Sequence, residues 1–136
     1  MIKKLTSSNY SEGAFNTGIL IFRLAVGILL MHHGYDKLVH YSKYESQFIN
    51  FMGMSPSVSL YLTIFAEFFC SLFVVIGLFT RLASVAIVIN MSVAVFKAHN
   101  FEVFGAGEMA TLFLAAFLLI LFVGPGKISV DGMIGK

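Results

Sequence analysis

Four apolar runs restrict what this chain can become more than any other feature. They cover Asn16 to His33, Val58 to Phe79, Leu82 to Ala98 and Glu108 to Val123. A helix needs about 20 residues, within a range of roughly 17 to 25, to cross the hydrocarbon core of a bilayer. Each run is read as one crossing, with the last two short enough to extend into their flanks. Charged residues make up only 12% of the chain and hydrophobic ones 58%. A soluble domain carries about 25% charged residues, so lipid is the expected solvent. The expected fold is an all-α integral membrane protein, a four-transmembrane-helix bundle forming a single domain over residues 1–136.

Only Thr80 and Arg81 separate spans two and three, which must therefore be an antiparallel pair. Gly124-Pro125-Gly126 closes span four, because Gly suits a helix end and Pro prevents continuation. Between spans one and two, Leu38, Tyr41, Tyr44, Phe48, Phe51 and Met52 recur every three or four residues. That spacing predicts an amphipathic helix lying at the interface, with an ordinary ordered loop as the alternative. Gly53 and Pro56 then turn the chain into span two.

Met1-Ile2-Lys3-Lys4 resembles the start of a signal peptide, but the apolar run begins only near Gly18 and leads into Met31-His32-His33-Gly34 rather than a cleavage site. The first run is therefore expected to be retained. Orientation follows the Lys/Arg bias. With the amino end inside, Lys3, Lys4, Arg81, Lys127 and Lys136 lie on the cytoplasmic side, against Lys37, Lys43 and the borderline Lys97 outside. Both termini are expected in the cytoplasm.

Several classes of function drop out. A net charge of +2, scattered along the chain, gives no nucleic-acid surface. Cys70 is the sole cysteine, which excludes an internal disulfide and any Cys-rich metal site. Redox chemistry would need a cofactor, a substrate or a partner subunit to carry the electrons. Beyond lipid, neither a homo-oligomer nor a redox partner is excluded.

Ionisable residues at membrane depth are costly, roughly 2.5–3.5 kcal/mol at a helix centre, and tend to face the bundle interior. Arg23 lies inside span one and Glu67 near the middle of span two. Counting from the inner helix ends places them roughly 10 and 18 Å deep, which an extended Arg can bridge. An Arg23–Glu67 ion pair is expected, acting as a core organiser or as a simple inter-helix clamp. Thr63, Glu67 and Ser71 share one face of span two, and Ala83, Ala86, Asn90, Ala94 and Lys97 form a small and polar stripe on span three.

A second cluster gathers at the outer ends: His32, His33, Lys37, Lys97, His99 and Glu108. Adjacent histidines on a helix point about 100° apart, and His33 lies closer to the Arg23 face. His33, Lys97, His99 and Glu108 are the candidate pocket, with Phe101 and Phe104 as apolar walls, unless they are simply wet helix ends. Histidine would exchange protons with a quinone headgroup and Lys would stabilise charge. Haem held by His33 and His99 is a lesser alternative. The carboxylates and histidines lack tight ligand spacing, so no metal is expected.

Phe22-Arg23-Leu24-Ala25-Val26-Gly27, leading to His33-Gly34-Tyr35-Asp36-Lys37, resembles the first span of the DoxX family. Phe48-Ile49-Asn50-Phe51-Met52-Gly53, Ala66-Glu67 and Gly77-Leu78-Phe79-Thr80-Arg81 resemble its second. Lys97-Ala98-His99, Gly107-Glu108 and the stretch Gly124-Pro125-Gly126-Lys127-Ile128-Ser129-Val130-Asp131 are similar to its later positions. The resemblance implies a four-helix protein of the bacterial inner membrane. It also implies an association with thiosulfate:quinone oxidoreduction, a terminal quinol oxidase or complexes handling oxidative stress. The extra domain of the fused thiosulfate enzymes has no counterpart in these residues, which leaves the substrate open. The expected function is a subunit of a quinone-linked oxidoreductase system, catalytic or not. The alternative is a non-catalytic membrane scaffold or a small-solute permease.

Overall fold

The computed structural model describes residues 2–48 and 53–135. After a four-residue helix, α1 (Ile2–Leu5), come the long α2 (Glu12–Val39), the short α3 (Tyr41–Glu45), α4 (Pro56–Ile76), α5 (Thr80–Ala98), α6 (Glu108–Val123) and the short α7 (Val130–Gly135). Helices α2, α4 and α5 are long and apolar enough to span a bilayer, and α6 is a shorter apolar helix. The bundle is built from these four.

Local chemistry fixes the helix ends. Ser11 caps α2, its hydroxyl accepting from the Ala14 N–H at 3.0 Å. Ser55 caps α4 in the same way, with Pro56 in the first turn, where no N–H is needed. Gly77 ends α4 in the left-handed conformation, φ 77°, and the Leu78 N–H returns to the Phe73 carbonyl at 2.9 Å. Phe79 follows at φ 51°, and the chain reverses into α5 within three residues. Helix α5 has no capping side chain of its own. Asp131 supplies one from the carboxyl-terminal segment, its two oxygens accepting from the Phe79 and Thr80 N–H groups at 2.8 Å each.

Leu30, Leu60, Val74, Ile87, Val95, Phe117 and Ile120 are fully buried between the helices. Large apolar residues such as Ile21, Leu29, Phe69, Leu82, Leu112 and Phe122 face outward. In water such a surface would be an aggregation hazard; in a bilayer it is solvated by acyl chains.

Three expectations change. Span one does not stop at His33 but runs on to Val39, so α2 has 28 residues and is about 42 Å long. His33, Asp36 and Lys37 therefore sit on rigid helix rather than at a frayed end. In place of a long interfacial helix the structure shows the five-residue α3; Phe51 and Met52 lie outside the described residues, as does Lys136. Finally, α4 and α5 each contain a π-helical stretch, Phe65–Cys70 and Ala94–Ala98. Such stretches widen a helix by one residue per turn and often occur at functional sites.

Candidate functional site

Glu67 stands inside the π-helical stretch of α4 and is 5% exposed. Its Oε1 accepts from Lys37 Nζ on α2 at 2.7 Å, and its Oε2 from Asn90 Nδ2 on α5 at 3.1 Å. Three helices are thus joined by one carboxylate. Lys37 also lies 5.7 Å from the centre of the Tyr44 ring on α3, a cation–π distance. Tyr44 in turn donates to Asp36, which anchors α3 over the end of α2. That hydrogen bond to a carboxylate holds the Tyr44 phenol above its ordinary range.

Gly34 makes this geometry possible. A Cβ there would stand 2.6 Å from the Phe68 nitrogen and 2.7 Å from the Glu67 carbonyl carbon. Only glycine lets α2 and the π-helical stretch touch backbone to backbone, which brings Glu67 within reach of Lys37 one turn further on.

Beside this triad is a cavity of about 800 Å³. Leu30, Phe65, Met91, Met109 and Phe113 are among its apolar walls. Its polar lining includes Thr63, Glu67, Asn90, Lys37, His33 and His99. His33 meets the Phe113 ring edge-on at 5.8 Å, whereas its neighbour His32 is exposed. Neither His33 nor His99 has a ring nitrogen hydrogen-bonded among the described residues.

The four residues expected to form a pocket are divided by the structure. His33 and His99 line the cavity; Lys97 and Glu108 are exposed and lie outside its lining. Phe101 and Phe104 do not line it either; both are exposed on the α5–α6 loop, where Asn100 and Phe101 adopt positive φ. Lys37 takes the cationic place expected of Lys97. Its four-residue spacing from His33 puts both on one face of a helix that continues past His33. Asn90 was visible in the polar stripe of span three, but not as a ligand of Glu67.

The expected Arg23–Glu67 pair is not formed among the described residues. Arg23 is 2% exposed, and its guanidinium is collared by backbone. Nη1 donates to the Pro125 and Ile128 carbonyls at 2.7 and 3.1 Å, and Nη2 to the Val75 carbonyl at 3.2 Å. The helix register explains the change. Gly34 faces Phe68 and Arg23 faces Gly77, so Arg23 lies opposite a point ten residues beyond Glu67, about 15 Å away along the axis.

The DoxX family profile matches residues 18–100, a stretch that contains Arg23, His33, Lys37, Glu67, Asn90 and His99. Over 127 residues the chain is 28% identical to the inner membrane protein YqjF of Escherichia coli strain K12, covering 89% of this chain and 95% of that one. It is 25% identical over 122 residues to inner membrane protein YphA of the same organism, covering 83% and 87%. No solved structure matches the chain. A profile that spans well over half the chain, on a bundle of apolar helices, places this protein in the DoxX family.

Proposed function

We propose that this protein is the membrane subunit of a quinone-linked oxidoreductase system, and that the cavity beside Glu67 receives the quinone ring. The cavity carries this reading. Its volume of about 800 Å³ lies within the roughly 300–1,000 Å³ of small-molecule sites, which are mostly apolar with a few placed polar groups. His33 and His99 offer ring nitrogens that no residue described here occupies. A bound quinone supplies two-electron, two-proton chemistry at its ring oxygens. For that chemistry the free ring nitrogens of His33 and His99 can take up or give a proton at the ring oxygens, Asn90 and Thr63 orient a carbonyl, and the apolar walls exclude water. The lone thiol, Cys70, is buried in the core, so the electrons come from a partner subunit.

A short-tailed quinone analogue titrated against the protein in nanodiscs tests the reading. Saturable binding is expected, weakened at least tenfold, about 1.4 kcal/mol, by His33→Ala or His99→Ala. If wild-type protein shows no saturable binding even with its partner subunit present, the quinone role is lost and a scaffold or permease takes its place. A Soret band in the purified protein would assign the histidines to haem instead.

The same proposal places the protein in the bacterial inner membrane with both termini cytoplasmic. The relatives' location and the Lys/Arg distribution support it. A reporter fluorescent only in the cytoplasm, fused after the last residue, should light up; an active periplasmic reporter at that site would reverse the orientation.

A further inference from the structure

Cavity residues normally face inward. Here Leu62 and Phe65 on α4 and Ile89 on α5 line the cavity and are also 51%, 52% and 60% exposed. They form a rim, with one wall of the cavity on each of two adjacent helices. The helix packing shows why. The stretches Phe65–Cys70 and Ser71–Ile76 of α4 pack on both α2 and Thr80–Val93, whereas Pro56–Ile64 packs on α2 and α3 and loses most of its contact with Thr80–Val93. The two helices leave their shared turn in contact and diverge at the π-helical stretch, where a helix commonly bends.

The rim is at hydrocarbon depth. Ile89 stands midway along the 19-residue α5, and Phe65 midway along the 21-residue α4. A water-soluble ligand would have to cross acyl chains to reach this rim; the lining residues Gln47, Ala98 and Ala106, exposed at the loop end, mark a second mouth nearer the headgroups. The polar end of the cavity carries its charges as a closed pair, Lys37 with Glu67, and so presents no net charge to a headgroup. An anionic head would need that pair broken, whereas an uncharged one would not.

We infer that the cavity opens sideways into the bilayer through a slot between α4 and α5, and that it takes a membrane-resident amphiphile with an uncharged polar head and a long apolar chain. The slot follows from geometry alone; the ligand class deepens the quinone proposal and rests on it. A ligand of this kind slides in head-first toward His33 and Asn90 and leaves its chain among the lipids.

The chain contains no tryptophan, so a single Phe113→Trp change puts a unique fluorophore on the cavity wall. In vesicles of phosphatidylcholine brominated at mid-chain, its emission should be quenched severalfold, while aqueous iodide should have little effect. Narrowing the slot with Ile89→Phe and Val93→Phe should restore most of the emission, and excess monoolein, with its uncharged head, should protect it where oleate does not. Quenching by iodide alone, or bromine quenching that ignores the narrowed slot, would overturn the opening. Protection by oleate but not monoolein would overturn the ligand class. If brominated chains quench as expected but short-tailed quinones do not bind, the quinone proposal alone fails. If quinones bind while only iodide quenches, the slot alone fails.

Discussion

The two ends of the bundle both bury charge, and they do it in opposite ways. At the end where the first half of α2 meets the carboxyl-terminal segment, Arg23 donates to three backbone carbonyls through Nη1 and Nη2 while its Nε has no partner among the described residues, and Asp131 accepts from two backbone N–H groups. Gly77 lies against Ser129 so closely that a Cβ there would stand 2.3 Å from that side chain. At the other end, Glu67 and Lys37 satisfy one another, and a cavity opens beside them. A buried charge is therefore not by itself the mark of a site. Charge held by hydrogen bonds to the chain's own backbone locks the fold, and it cannot be released without unfolding something. Charge neutralised by side chains next to open volume can be rearranged by a ligand.

Substitutions should separate the two ends, most strongly at the backbone-satisfied one. Arg23→Met leaves three carbonyls unpaired, each bond to a charged group being worth about 1.5–3 kcal/mol. The expected loss is about 4 kcal/mol in unfolding free energy, less than the three bonds together because the burial cost of the guanidinium is removed with it, and close to the upper limit for single changes. Arg23→Lys should restore little, because an ammonium lacks the planar fork that spans three acceptors. A neutral effect in a detergent unfolding titration would remove the distinction between the ends.

Glu67→Gln strands Lys37, whose side chain is only 18% exposed, and should cost about 3 kcal/mol. The double change with Lys37→Met should recover most of that, because it leaves no stranded charge: an uncharged pair of similar volume replaces the ionic one, with Asn90 still able to bond the new amide. Additive losses would show that the two residues do not act as a pair.

Gly34→Ala should cost about 2 kcal/mol by forcing α2 off the Glu67–Phe68 backbone. It should also loosen quinone binding, which a thermal shift and a titration on the same variant would read separately.

Asp131→Ala removes the cap of α5 and should cost about 1 kcal/mol. Partial burial raises the Asp131 pKa, but the hydrogen bonds from Thr80 and Phe79 and the charge of Arg23 outweigh it, leaving the carboxyl below its ordinary 3.8. Its stabilising contribution is therefore complete above that ordinary value and is lost as pH falls through the lower folded-state value. An acid unfolding curve for Asp131→Asn should lose this step. Glu12→Gln breaks only an exposed contact with Lys127 and should leave stability unchanged.

The sequence shows the helices well because hydrocarbon imposes a length and a composition that can be counted. Helix α6 begins and ends where its apolar run does, Glu108–Val123. The start and stop of α2 were less legible, because Asp36 and Lys37 read as flanking polar residues when each in fact has a partner on another helix. Arg23, His33, Glu67 and His99 could be singled out from residue type and depth. Their partners could not, because depth counted along separate helices omits the offset between them. That offset is set here by Gly34 and Gly77, and it puts Arg23 about 15 Å from Glu67 along the axis, where the counted depths implied roughly 8 Å. The π-helical stretches carry no recognisable signal, since Phe65–Cys70 and Ala94–Ala98 read as ordinary apolar helix.

The carbonyl collar around Arg23 also has a consequence for synthesis. Two of its three acceptors, Pro125 and Ile128, lie 102 and 105 residues downstream. At about 5–20 residues per second, the first helix enters the membrane and waits roughly 5–20 s with a guanidinium that its final partners have not yet reached. During that interval it bears the cost of a bare Arg in lipid, about 2.5–3.5 kcal/mol. Chains cut short before Gly124 never relieve it. Completion of the carboxyl-terminal segment thus decides where the charge sits: an incomplete chain leaves the guanidinium without these two acceptors, and a finished chain supplies them.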